Sequence, residues 1–447
     1  MFNLTKMFRT EDGKNYAFTF GLVSTLFLLW GLCNGMIDVM DKHFQDYLHL
    51  TKSQSAWVQF AHYLGYFLMA LPASFLARKL GYKGGIIAGL LLVSFGGFWF
   101  IPATYISTFW SFLLGVCIVA MGLTVLETVA NPYTTVLGSK QYSAARINFA
   151  QSFNGIGWIF GPIIGGIFFY SSEGAEAAQA QLYIPYLTVA IIVLIMAVIF
   201  YFANIPELNT EDDYNLDVES NTAIKKSIWL HPHFVGAVLS QFLYVAAQAG
   251  IFSFFINYIV EEIPSISSSL AGSWLFNDRS VLKGSEYFIN EKGATFLLGS
   301  IGFPLFLLGR ITGTAILRKI TAHKLLGIYA LVNVFVCLIV VFKIGWISVA
   351  AVFITFFFMS IMFPTIFALG IHGLGIEAKK ASGFIVMAIM GGAIMPKLMG
   401  HLGDVYNMSV SFLMPMCCFL VVSIYGFLWQ NLSRSKTKIE ISKTRSH

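Results

Sequence analysis

One carboxylate sits in the middle of a long apolar run: Glu127, in SFLLGVCIVAMGLTVLETVANPYTTVLG. Hydrocarbon does not solvate an acid, and placing one at that depth costs at least ~2.5 kcal/mol on insertion scales. A group held there at such a cost marks an ion or substrate pathway, or else makes a structural hydrogen bond to a neighbouring helix. Asp38 closes the first apolar run, STLFLLWGLCNGMID, where it either lines a cavity or anchors a helix end in water. Asp404 stands at the end of a later run and is the weakest of the three. Thr124, Glu127 and Asn131 follow i, i+3, i+7 spacing and so share one helical face; Asn34 lies one turn before Asp38 on its face. Pro132 removes a backbone donor just beyond, which membrane helices tolerate beside protein or water.

Amides form a second set. ARINFAQSFNGIGWIFGPIIGG carries Asn148, Gln151 and Asn154 as a polar stripe. Amides donate and accept, as a polyhydroxylated ligand requires, although the same groups also serve as interhelical glue worth ~0.6 kcal/mol. Gly157, Gly161 and Gly165 repeat at four-residue spacing and point to close helix packing. Gln241, Tyr244 and Gln248 repeat the i, i+3, i+7 pattern later in the chain, with Asn257 further along. Gln59, His62, Tyr63 and Tyr66 add polar groups to the second run; the histidine either relays protons or packs through a hydrogen bond. Trp30, Trp158 and Phe363 are core residues or platforms for a pyranose ring. Arg310 in GRITGT snorkels or binds an acid, and Lys397, seven residues before Asp404, pairs with it or snorkels.

The elements that must position these groups follow from composition. The 447 residues are 57% hydrophobic and 11% charged, with mean hydropathy +0.73, more apolar surface than a water-soluble domain can hide. A net charge of +6 could suggest nucleic acid, but the basic residues are spread loop by loop, and no nucleic-acid partner is expected. The five cysteines lie in apolar runs without metal or disulfide spacing, and no P-loop, nucleophile elbow or dinucleotide fingerprint is present. An ATP-driven pump and an enzyme are therefore disfavoured, and neither cofactor nor metal is expected. The first span is expected to act as its own uncleaved insertion signal.

Runs able to cross ~30 Å of hydrocarbon fall near 18–40, 54–77, 85–103, 108–136, 148–170 and 182–203, then near 232–260, 294–317, 324–343, 346–371, 382–403 and 409–430. The acidic, polar stretch 204–230 reads as a linker between a bundle at 1–203 and another at 231–447, the second ending in a basic tail. With the amino terminus inside, most of the 28 Lys and Arg fall in inner segments, against Lys42, Lys52, Arg279, Lys283, Lys292 and Lys343 outside. Both termini are thus expected to be cytoplasmic, and the hydrophilic 261–293 segment to be an outer loop that folds over the mouth. The halves also echo each other. Arg78-Lys79 matches Arg318-Lys319, Pro132 and Gly138 match Pro364 and Gly370, and Pro162 matches Pro396. Two pseudo-symmetric six-helix bundles around a midplane site, an all-α secondary transporter, are the expected architecture.

These stretches resemble the L-fucose:proton symporter family of the major facilitator superfamily, a group that also holds glucose/galactose and N-acetylglucosamine permeases. The resemblance is carried by WGLCNGMIDVMDKHFQ, LETVANPYTTVLG, RINFAQSFNGIGW, QFLYVAAQ, FFINYIVEEIP, GRITGT, FPTIFALGI and SGFIVMAIMGG. It implies a twelve-helix inner-membrane importer whose protonatable acids fall on Asp38 and Glu127 and whose sugar-recognising amide pair falls on Gln151 and Asn154. Asn34, Asn131, Tyr244, Gln248 and Phe363 are the further expected substrate contacts, Phe363 replacing a tyrosine of the fucose permease. Proton coupling is expected, with sodium as the alternative ion; a monosaccharide and the bilayer are the expected partners, and a monomer is expected to suffice. The rival readings are a sodium-coupled glucose/galactose or N-acetylglucosamine permease, a proton-driven drug exporter and a non-transporting receptor.

Overall fold

The computed structural model describes residues 7–9, 13–138, 143–169, 183–207, 227–317, 320–374 and 378–444. Each of the twelve apolar runs is helical. The first is α1 (Ala17–Leu48); the second and third share α2 (Trp57–Ile106). The fourth to seventh are α3 (Phe109–Val136), α4 (Ser143–Phe169), α5 (Ile184–Phe202) and α6 (Pro232–Glu262). The eighth runs from α7 (Glu291–Leu297) through a π turn, Leu298–Gly302, into α8 (Phe303–Ile316). Then come α9 (Ala322–Val341), α10 (Trp346–Met359) with α11 (Met362–Ile371), α12 (Ala378–Met387) with α13 (Gly391–Val405), and α14 (Leu413–Thr444). Eleven described helical stretches are long and apolar enough to cross a membrane; α4, whose first half carries the amide stripe, lies outside that set.

Burial separates interior from peripheral helices. In the most apolar window of α6, 83% of residues are buried, and in α1 67%, against 28% in α5 and 24% in the first half of α2. Polar residues on α1 and α6 therefore face protein, whereas α5 and the start of α2 offer apolar surface to lipid. The first span was expected to end near residue 40. It continues to Leu48 because Asp41, Lys42, His43, Phe44 and Gln45 are all buried, so this stretch is packed helix and not loop.

The turn inside α2 shows how local chemistry fixes the hinge between the second and third spans. Gly81 adopts φ 69°, ψ −170°, a region essentially closed to other residues. The break leaves amides of the following helix without partners, and Glu207 takes them: Oε2 accepts from the Tyr82 amide at 2.8 Å and Oε1 from the Lys83 amide at 2.9 Å. A β-carbon on Gly81 would stand 2.5 Å from that carboxylate. Beside it, Lys83 donates to the Ala203 carbonyl at 2.9 Å and the Tyr133 hydroxyl to the Pro206 carbonyl at 2.8 Å. Arg146, fully buried, donates to the carbonyls of Thr134 (3.0 Å), Met7 (2.8 Å) and Gly138 (3.4 Å).

Contacts divide the chain into two units, Met1–Glu211 with Ser253–Pro304, and Asp212–Phe252 with Leu305–His447. Within the first unit the C-terminal part of α6 bonds to α1 through Asn257 and Gln45, and Lys52 pairs with Glu261 at 3.1 Å. The backbone at Gly299 also lies close against the Ile159 carbonyl of α4. Most of the expected linker, residues 208–226, lies outside the described residues. The 261–293 loop is folded: β1 (Ser280–Lys283) pairs antiparallel with β2 (Glu286–Ile289), Arg279 stacks over Phe296 at 4.3 Å, and Lys292 pairs with Asp278 at 2.5 Å. That hydrogen bond holds the Asp278 carboxyl below the ordinary carboxylate range.

Gly81→Ala is expected to cost about 1–3 kcal/mol through backbone strain. Thermal unfolding of the purified variant in detergent should show a lowered Tm; Gly284→Ala, at a loop position where a β-carbon meets nothing within 4 Å, separates the close contact from backbone strain alone.

Candidate functional site

Trp30, Asn34, Asp38, Asp41 and Gln45 descend one face of α1 at three- and four-residue steps. The upper part of this stripe meets α2 and α3. Trp30 Nε1 donates to the Tyr66 hydroxyl at 2.7 Å, and that hydroxyl lies near the Asn34 side chain and the Glu127 carboxyl. Glu127 is half-buried, and among the described residues no hydrogen bond or ion pair holds it. The His62 ring meets Tyr63 edge-on (5.2 Å) and lies tilted against Tyr66 (4.9 Å). The structure thus gathers Trp30, Asn34, Tyr66 and Glu127, an aromatic and polar wall around an acid that is free to take a proton.

Asp38 lies lower on the stripe and is 4% exposed. Gln59 Nε2 donates to its Oδ1 at 2.9 Å, and its Oδ2 has no hydrogen-bond partner. Asp38 is therefore a buried group and not a helix-end anchor in water. Asp41 and Gln45, which the sequence reading passed over, continue the same face. Their i, i+3, i+7 spacing from Asp38 in DVMDKHFQ places them on that face, although the polar run taken by itself reads as the end of a span. Gln45 is locked in a reciprocal amide pair, Asn257 Nδ2 donating to its Oε1 at 2.6 Å and its Nε2 reaching Asn257 Oδ1 at 3.4 Å.

The amide stripe of α4 divides. Gln151, half-buried, donates to Asn131 Oδ1 on α3 at 3.1 Å, joining two expected contact residues and leaving further donors and acceptors on both. Asn154, 5% exposed, sends Nδ2 to the Phe27 carbonyl of α1 at 3.4 Å, while its own backbone carbonyl stands directly against Gly31. Gly35 meets Gly161 in the same seam, so the small residues of α1 and α4 let the two backbones touch. Thr124 is buried and bonded to the Ala120 carbonyl of its own helix. The side chains of Pro132 and Asn148 lie outside the described residues.

The second unit holds its own cluster. Tyr244 on α6 is fully buried, donates to the Met359 carbonyl at 3.0 Å and meets the Phe363 ring edge-on at 6.4 Å. Gln248, one turn on, is half-buried. Arg310 packs over Phe306 at 5.1 Å and reaches the Ser360 carbonyl at 3.4 Å, beside Tyr244. Gln241 is wholly buried with neither amide atom hydrogen-bonded. Among the described residues no group of three or more His, Cys, Asp or Glu could hold a metal ion.

A double-mutant cycle on Asn131 and Gln151 tests whether these amides exist for each other. If they are only interhelical glue, alanine substitutions should couple by about 0.6 kcal/mol in thermal unfolding, the average for such bonds between membrane helices. The 3.1 Å bond predicts a coupling of that size whether or not a ligand also binds; loss of ligand binding in each single variant is the outcome expected of groups whose remaining valences meet a ligand, and retained binding in both would leave the amides as glue.

The Major Facilitator Superfamily profile matches residues 19–395. The L-fucose-proton symporter of Escherichia coli K12 is 35% identical over 94% of this chain and 96% of its own length. The glucose/galactose transporter of Brucella abortus is 31% identical over 94% and 96%. Among solved structures, the transporter FucP, crystallised in its outward conformation, superposes with a TM-score of 0.64 at 33% identity over 93% of this chain and 99% of that one. A POT family transporter at 11% identity and a TM-score of 0.69 shares the fold alone. The chain is a multi-pass membrane protein of the major facilitator superfamily, and within it belongs to the L-fucose-proton symporter family.

Proposed function

We infer that the chain imports a monosaccharide together with protons, by alternating access, across the inner membrane of a bacterium. The observation that carries this reading is Glu127: a half-buried carboxylate inside an apolar helix, without hydrogen bond or ion pair among the described residues, beside Trp30, Asn34 and Tyr66. A structural acid would be tied down; this one is left for a coupling ion and for substrate hydroxyls. Gln151 and Asn131 supply amide atoms to a polyhydroxylated ring, Asp38 is the second proton-carrying acid, and Asn154 holds α1 and α4 in place through its bond to the Phe27 carbonyl. Tyr244, Gln248 and Phe363 are proposed as further sugar-contacting residues. The names of the relatives support a hexose or deoxyhexose as substrate, L-fucose or glucose/galactose.

The coupling follows from electrostatics. A charged Glu127 or Asp38 in a closed, dry cavity resists reorientation, whereas protonation removes the charge and sugar hydroxyls satisfy the remaining polar atoms. Sugar and proton therefore bind better together than apart. Two bundles at 1–203 and 231–447 with cytoplasmic termini, acting as a monomer, are the frame proposed for this cycle. Phe363, lacking a hydroxyl, leaves a sugar oxygen on its side to another donor, so the preferred sugar is expected to present an apolar face or methyl group there.

Two outcomes are expected in proteoliposomes loaded with the full chain. An inward proton gradient should drive accumulation of one sugar from a radiolabelled panel, with sodium gradients ineffective. Glu127→Gln, permanently neutral, should abolish that accumulation while retaining sugar exchange at equal pH. Full concentrative uptake by Glu127→Gln would remove Glu127 from the coupling step, and energised efflux of apolar drugs without sugar uptake would replace the importer with an exporter.

A further inference from the structure

Asp41 has no place in the cycle described so far, yet it is the most completely enclosed acid of α1. It is 0% exposed and neither carboxylate oxygen has a hydrogen-bond partner. Ser55 and Gln45 stand beside it, but their hydrogens are committed elsewhere. Ser55 Oγ donates to the Lys52 carbonyl at 3.0 Å, and Gln45 Nε2 is directed at Ser55 Oγ (2.8 Å) and Asn257 Oδ1 (3.4 Å). Lys42, the adjacent cation, is drawn off to Asp46 at 2.6 Å. Asp38, three residues back on the same face, has its own unpartnered Oδ2. Two acids a turn apart, with three of four oxygens unsatisfied, cannot both be carboxylates in a dry interior, because neither carboxylate is held in a salt bridge and each repels the other. A proton on each pair of oxygens removes both penalties.

We propose that Asp41 is a further proton-carrying residue of the transport cycle, which takes a proton from the water at the C-terminal end of α1 and passes it to Asp38. The proposal rests on the symport reading for its role, though not for its chemistry. The transfer is a proton exchange between carboxyls: while the end of α1 is hydrated, the Asp41 acid loses its proton to the Asp38 carboxylate and takes another from that water before the region closes, so that both acids are neutral when water is shut out. The Gln45–Asn257 amide pair and the Lys52–Glu261 ion pair close over Asp41 from the side of that water, so the group can be recharged only when they part. The charged and titratable groups facing this region are Asp38, Lys42, His43 and Asp46 on α1, Lys52 before α2, Glu261 at the end of α6 and Glu291 at the start of α7. Lys42 and Lys52 are each engaged with an acid, so neither is a dedicated counter-ion for Asp41.

The test is a pH-jump infrared difference spectrum of the full chain in proteoliposomes without sugar, comparing wild type with Asp41→Asn and Asp38→Asn. Each variant is expected to lose a different component of the protonated-carboxyl C=O band. In parallel, proton-driven sugar uptake by Asp41→Asn, whose side chain cannot carry a proton to Asp38, should fail at lower pH than in wild type, its alkaline limb moving down by about one unit, a tenfold change in proton concentration. An unchanged carboxyl band in Asp41→Asn overturns the proposal, and so does a lost band with an unmoved uptake limb. If Asp41→Asn does not assemble, Asp41→Glu, which keeps the acid, must move the same band, and a stationary band overturns the proposal. Absence of sugar uptake in wild type would defeat the symport reading, while the infrared comparison would still decide whether Asp41 holds a proton.

Discussion

An ionised carboxyl group cannot be enclosed in a protein immersed in lipid unless something neutralises it. This constraint organises the molecule. Glu127, Asp38 and Asp41 are acids of the α1–α3 interior, and among the described residues no salt bridge joins any of them to a lysine or arginine: Lys42 and Lys52 pair with Asp46 and Glu261, and Arg146 donates to three carbonyls. With cations committed elsewhere, a proton is the neutralising species the interior leaves available. Coupling is then a property of the site's enclosure. Whatever closes water away from these acids also demands that they be protonated, and whatever sugar does to complete their hydrogen bonds favours the same state.

The rest of the frame keeps those acids in register. Glycines at 31, 35, 157 and 161 bring α1 and α4 into backbone contact, so the polar stripe of α1 has little freedom to rotate away from α2 and α3. Glu207 pins the start of the third span across Gly81, and Arg146 binds the end of α3 to the start of α4. These devices use backbone amides and carbonyls as partners, so they fix geometry without offering charge to the acids. In the second unit Tyr244 is likewise committed to a backbone carbonyl, leaving Gln248 and the Phe363 ring as the accessible parts of that cluster.

Hydropathy alone located all twelve helical runs, because lipid imposes length and composition on each segment separately. Glu127 stood out for the same reason, as one acid in an apolar run. Asp41 did not, because the run of polar residues from Asp41 to Gln45 resembles a loop until its partners are known. Those partners, Ser55 and Asn257, come from other segments, Asn257 lying 212 residues away, and no local pattern announces them. Asn154 shows the converse. Its spacing marked it as a cavity amide, whereas its Nδ2 reaches the Phe27 carbonyl, a bond that depends on how closely α1 and α4 approach. The grouping of 253–304 with the first unit arises from such tertiary contacts too, and the duplication visible in the motifs does not encode it.

Simultaneous recording of sugar entry and external pH tests proton-coupled sugar import most directly. Vesicles containing the folded chain are equilibrated at one pH on both sides, without sodium, and the sugar is added outside. Coupled entry requires the external medium to turn alkaline as sugar moves inward, in a fixed ratio to it, and requires Glu127→Gln to uncouple the two. Sugar entry with no change in external pH, or entry that appears only with sodium, would contradict it.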